Sequence, residues 1–145
     1  MDKRSWVLLV MAVAKDRSLQ PVHLQKTLFL LQQNLSLKNL RVNDFYHFEP
    51  YDYGPFCSEI YSDADILSDD GLVHIDQLAN LSYRTYSATG GGVSAAEKLM
   101  ESLRPEVKTY LTEVVNWTTS LSFKQLVSAI YRYYPEMKVN SVFKG

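Results

Sequence analysis

Nine consecutive apolar residues, Trp6 to Ala14, constrain the fold of this chain more than any other feature. The run is too short for a bilayer, whose hydrocarbon core takes about 20 apolar residues of helix. As a helix it has no polar face to offer to water, so it must be enclosed on nearly every side. The rest of the 145-residue chain has to wrap around it. A chain of this length buries roughly two-thirds of its unfolded surface, which suits one domain that needs no disulfide or metal staple. Lys3 and Arg4 before the run, and Ala12-Val13-Ala14 at its end, resemble a signal peptide. The shortness of the segment, the negative Asp2 and the lone cysteine, Cys57, oppose that reading. The expectation is a first helix over 4–15, inside a cytoplasmic protein with no membrane segment.

Breakers and caps divide the remainder of the chain. Pro21 fits the first turn of a second helix running to about Gln33, where a missing N–H costs nothing. Leu24, Leu28 and Leu31 fall at helical spacing, with Gln25 and Gln32 turned away. Phe45 to Phe48 reads as a short aromatic strand. Gly54-Pro55 is expected to start a third helix, ending at Gly71. Leu72–Ile75 and Leu81–Thr89 read as a hairpin. Gly90-Gly91-Gly92 reads as a flexible break, followed by a capping box, Ser94 to Glu97, opening a fourth helix. A fifth begins at Pro105, and a sixth at the capping box Ser122 to Gln125, ending before Pro135. The fold class expected is α+β and mainly helical. The order helix, helix, strand, helix, hairpin is that of a winged-helix-like core. It would cover 1–90 of a single domain, 1–145, with 91–145 as a helical extension.

Charge is unevenly spread. The formal net charge is −1, yet residues 42–83 carry nine Asp and Glu and no Lys or Arg. At 100° per residue the third helix gathers Glu59, Asp63 and Asp70 on one face, with Ile66 in its middle. In DNA-binding winged helices the third helix enters the major groove, where affinity comes from Lys and Arg on phosphates. An acidic helix is repelled there, so nucleic acid is not expected to bind through it. A solvated acidic face is one reading. A docking surface for a basic protein, with Ile66 as apolar anchor, is the other. DNA binding would have to use Lys26, Lys38, Arg41 or Arg84.

No motif marks chemistry. The glycine triplet lacks the Lys-Ser/Thr of a phosphate loop. His47 with Glu49 and Asp52 has no second ligand cluster, so no metal or other cofactor is expected. Cys57 reads as a structural thiol. An enzyme would need His47, Asp52 and Cys57 joined in one polar pocket. The dense aromatics Tyr46, Phe48, Tyr51, Tyr53 and Phe56 lack the interleaved bases of a nucleic-acid platform and read as packing or interface. The turn at Gly54-Pro55 would then either shape the fold or display Tyr51 and Tyr53 to a partner.

Four segments in order carry a resemblance: Leu24-Gln25-Lys26-Thr27-Leu28-Phe29-Leu30-Leu31; Tyr51-Asp52-Tyr53-Gly54-Pro55-Phe56; Glu59-Ile60-Tyr61 with Gly71-Leu72-Val73; and Tyr86-Ser87-Ala88-Thr89-Gly90. Over about residues 20–90 the chain resembles the SocA-like, or Panacea, antitoxin domain and the related YwgA-like bacterial proteins. The tail from Tyr134 to Val142 looks closer to the YwgA-like branch. The resemblance implies an intracellular bacterial or phage protein that has no catalytic residues and neutralises a toxin by binding it. The resulting expectation is a non-enzymatic, antitoxin-like interaction module with a basic protein partner. Its binding residues would be Tyr51, Tyr53, Glu59, Asp63, Ile66 and Asp70. A winged-helix transcription regulator and an uncharacterised enzyme stay open as other readings.

Overall fold

The computed structural model describes all residues, 1–145. Seven helices and two separate two-stranded antiparallel sheets make an α+β, mainly helical fold. The helices are α1 (Lys3–Ala14), α2 (Pro21–Asn34), α3 (Leu37–Leu40), α4 (Glu59–Asp69), α5 (Gly90–Glu101), α6 (Pro105–Thr119) and α7 (Phe123–Tyr133). The strands are β1 (Glu49–Tyr51), β2 (Gly54–Phe56), β3 (Val73–Asp76) and β4 (Thr85–Ala88). No helix is long and apolar enough to cross a membrane.

The apolar run sits at the centre. Trp6 through Met11 are all buried, and they join a cluster of 25 core residues. α1 packs against α2, α4, α5, α6 and β4, so most of it is covered, with Ala12 and Val13 left half-buried. Asp2 caps it, accepting from the Ser5 amide at 3.1 Å. The one polar atom that α1 takes into the core is satisfied, because the Trp6 indole N–H donates to the Leu40 carbonyl at 2.8 Å. The same cluster includes Ala96, Leu103, Val107, Leu111 and Val115 from α5, α6 and the loop between them. Residues beyond 90 therefore complete the core that α1 begins, rather than forming an appendage. A smaller cluster packs Phe29 and Leu30 of α2 against Leu126, Val127, Ile130 and Tyr131 of α7.

Several local expectations change. Phe45–Phe48 is not a strand: Phe45 and Tyr46 are buried there as an irregular segment. The strand begins at Glu49 and pairs with Gly54–Phe56, so Gly54-Pro55 belongs to a hairpin and does not start a helix. The register sets Pro50 opposite Pro55 between the pairs Glu49–Phe56 and Tyr51–Gly54. Antiparallel pairs alternate between bonded and non-bonded, and two residues without N–H groups suit the non-bonded position. Gly54, at φ +105°, lets the chain close the Asp52-Tyr53 turn, a conformation L side chains rarely adopt. The extra hairpin breaks the expected helix, strand, helix succession, and the acidic helix starts only at Glu59. Gly90-Gly91-Gly92 is not a break but the first turn of α5, capped by Thr89 rather than Ser94. The Ser122 capping box forms with both of its bonds.

Candidate functional site

α2 runs through the interior, with every residue from Val22 to Leu31 buried. That includes four side chains with polar groups, His23, Gln25, Lys26 and Thr27, each of which needs a partner. His23 Nε2 lies 2.8 Å from the Leu121 carbonyl. Gln25, expected to face outward, points inward. Its amide donates to the Cys57 carbonyl and accepts from the Cys57 N–H, both at 2.9 Å. This pair ties α2 to the segment that leads into α4. Thr27 bonds Thr118 of α6 at 2.7 Å. Lys26 is 4% exposed, and its Nζ donates to the Pro55 carbonyl at 3.1 Å. No carboxylate pairs with it. Burial pushes its ammonium down to about 8 from the usual lysine range.

Gln25 and Lys26 edge a cleft of about 210 Å³ between the start of α2 and the β1–β2 hairpin. Gln25 and Lys26 belong to one side and Tyr51, Asp52, Tyr53, Gly54 and Phe56 to the other, with Tyr61 and Phe123 also in its lining. The aromatic walls are interlocked. Tyr51 stacks on Phe56 at 4.9 Å between centroids, Tyr53 meets Phe123 edge-on at 5.0 Å, and Phe56 meets Tyr61 at 5.8 Å. Burial pushes the Tyr61 phenol up to about 12, so it stays a neutral donor. The hairpin tip is also held from behind. Val142 N–H donates to the Asp52 carbonyl at 2.9 Å and the Asn140 amide to the Pro50 carbonyl at 3.1 Å.

The expected site residues divide into three places. Tyr51 and Tyr53 stand at the cleft, 53% and 42% exposed, with Gly54 and Pro55 buried in the paired strand β2. Glu59 sits at the start of α4, bonded to Lys3 Nζ at 2.8 Å. Ile66 is 38% exposed farther along α4, and Asp70 is its exposed C-cap. Asp63 leaves the expected acidic surface: it is buried, accepts from the Tyr46 hydroxyl and pairs with Arg4 at 3.3 Å. The wheel placed it correctly beside Glu59 but could not show that α1 and Tyr46 cover that part of the face. Asp65 is engaged as well, 3.4 Å from Arg84. Of the bases available for DNA, Lys26 is therefore buried and Arg84 paired. His47, raised as a metal ligand and as a member of a polar pocket with Asp52 and Cys57, lies beside Asp44 at 3.3 Å, and Cys57 is held through its backbone by Gln25.

Asp63 is accordingly a structural carboxylate. Asp63→Asn should cost about 1–2 kcal/mol, because it weakens two charge-assisted bonds without opening a cavity. Asp63→Leu should cost more, since it strands the Tyr46 hydroxyl in the core. Urea unfolding of both variants measures this, and an unchanged midpoint would show that the carboxylate holds nothing.

Sequence reasoning missed Gln25, Lys26, Tyr61 and Phe123. The signal available was that two of the resemblance segments, Leu24 to Leu31 and Tyr51 to Phe56, each carry polar or aromatic residues with no evident packing role. The structure brings those segments together across one cleft. No family model matches the chain, and no curated protein matches it in sequence.

Proposed function

We propose that this chain is a cytoplasmic, non-enzymatic protein-interaction module of the antitoxin type, which binds and neutralises a protein partner through the β1–β2 hairpin. One observation carries the reading: Tyr51 and Tyr53 are held exposed on a braced turn. Tyrosines fixed in this way contribute large contact area at small entropic cost and are frequent interface hot spots. The prolines at 50 and 55, the positive φ of Gly54 and the bonds from Asn140 and Val142 supply the bracing. Ile66 and Asp70 add an apolar and an acidic contact on α4 for a basic partner. Asp63 is not part of this surface.

The test is co-expression with a growth-inhibiting protein encoded beside this one. Tyr51→Ala and Tyr53→Ala should each lower stability by about 1 kcal/mol, because each residue is about half exposed and its ring gives up one aromatic pair, with Phe56 or Phe123. Binding should weaken by about 2 kcal/mol for at least one of them, and growth rescue should be lost. A large drop in melting temperature with binding retained would assign both rings to packing. Glu59→Lys breaks the bond to Lys3, so it reads the acidic surface only if its melting temperature is shown to be unchanged.

A further inference from the structure

The interior of the cleft poses a separate problem, although Tyr51 and Tyr53 line it as well as the surface proposed above. An ammonium group buried in an apolar setting without an opposite charge is unfavourable, and folded proteins rarely retain one. Lys26 is such a group. One of its three N–H donors meets the neutral Pro55 carbonyl, and Asp52, which lines the same cleft, makes no ion pair with it. The first turn of α2 also lines the cleft through Pro21 and Val22, and its N-cap Gln20 contributes no side-chain bond. The positive end of a 14-residue helix therefore adds to the preference for an anion. The rest of the lining is Gln25, Gly54 and five flat aromatic rings. A cavity of about 150 Å³ accepts a benzene ring, so 210 Å³ holds a ring together with an acid group.

We propose that this cleft binds a small organic acid, whose carboxylate takes the Lys26 ammonium and whose flat apolar body lies among Tyr51, Tyr53, Phe56, Tyr61 and Phe123. The carboxylate supplies the missing counter-charge. A single ammonium with no guanidinium fork beside it suits one carboxylate better than a phosphate, which favours several converging donors. The ligand is small because the cleft holds only about 210 Å³. Phe123, which lines it, is held in place edge-on against Phe143 at 6.2 Å.

Phenylacetate is the probe, with phenylacetamide as its uncharged isostere, followed by amide chemical-shift titration of the full chain. Phenylacetate should give saturable shifts at Gln25, Lys26 and Gly54, and phenylacetamide should bind at least about tenfold more weakly, the value of one charge-assisted bond. Lys26→Met keeps the length and apolar stem of the side chain. It should lose that preference, so that acid and amide bind alike. Tyr53→Ala should weaken both probes together. Each variant is scored only after its melting curve shows a cooperative transition. Absence of saturable shifts at millimolar phenylacetate, or undiminished preference for the acid in Lys26→Met, would overturn the proposal. Tighter binding of a short peptide ending in phenylalanine than of phenylacetate would overturn it too, in favour of a polypeptide terminus.

Discussion

Gly92→Ala is expected to destabilise the protein by about 3 kcal/mol or more, the upper end for forcing atoms into a packed interior. A Cβ at this position would stand 1.9 Å from the Leu72 carbonyl oxygen and 2.9 Å from its carbon. Neither atom is the free end of a flexible side chain. The Leu72 carbonyl is fixed by the Thr89 N–H at 3.0 Å, and Thr89 also bonds the Gly71 carbonyl at 2.7 Å through its hydroxyl. On the other side lies Leu8 Cδ1 at 3.2 Å, in the central helix. Relief would require α5 to lift off α1 and the Gly71-Leu72 turn together. Native domains are stable by only about 5–15 kcal/mol, so a cost of this size brings the fold close to failure. Gly90 provides the control. A Cβ there meets nothing within 4 Å, and alanine is the better helix former, so Gly90→Ala should melt at or slightly above wild type. Thermal and urea unfolding of the pair decide the matter. A Gly92→Ala midpoint equal to that of Gly90→Ala would mean that α5 is not pressed against Leu72.

The same glycine shows where the sequence is legible and where it is not. Three glycines in a row read locally as a break, because glycine in a helix interior is disfavoured. What requires glycine at position 92 is a close approach by a residue twenty positions earlier, and no local rule contains that contact. Helix ends set by covalent geometry or by side-chain caps were readable. Pro21 and Pro105 start α2 and α6, Ser122 boxes α7, and Gly71 ends α4 at φ +77°. The burial of α1 from Trp6 to Met11 followed from its lack of a polar face; Ala12 and Val13, in the same run, are only half-buried. The β1–β2 hairpin was hidden because its strands have three residues each and carry Pro50 and Pro55, which argue against strand by composition. Only pairing register makes two prolines compatible with a ladder. The cleft was half legible. Tyr51, Tyr53 and the glycine turn stood out as an aromatic cluster at a breaker. Lys26 and Gln25 did not, because helical periodicity assigns polar residues to the wet face, and α2 has none over its first ten residues after Pro21. Asp63 misled for the same reason: an acidic side chain on an amphipathic helix is usually solvated, and here Tyr46 and Arg4 reach it first.

Lys26 also makes a prediction about stability that does not depend on any ligand. Its ammonium is held at about 8 in the folded chain by burial, against 10.5 for an unperturbed lysine. Below pH 8 both folded and unfolded chains carry the proton, and the folded chain bears the full penalty. Between 8 and 10.5 the unfolded chain keeps a proton that the folded chain has shed, so stability rises with pH across this window. At about 1.4 kcal/mol per pH unit the full rise would be about 3 kcal/mol. The upper part of the window is opposed by tyrosines. Tyr46, Tyr61, Tyr86, Tyr110 and Tyr131 are all raised above 10.0, chiefly by burial. Groups shifted in that direction lose their stabilising contribution as pH climbs past the unfolded value. Stability should therefore climb by about 2 kcal/mol from pH 8 to about 9.5 and then fall. Lys26→Met removes the buried charge and should be more stable than wild type by about 2 kcal/mol at pH 7, after about 1 kcal/mol is given back for the unpaired Pro55 carbonyl. Its profile should be flat from pH 8 to 9.5. Urea midpoints at half-unit steps of pH for both proteins measure this directly. Wild-type stability that stays level over the same interval, or a less stable methionine variant at pH 7, would show that the ammonium is paired or solvated in the folded chain.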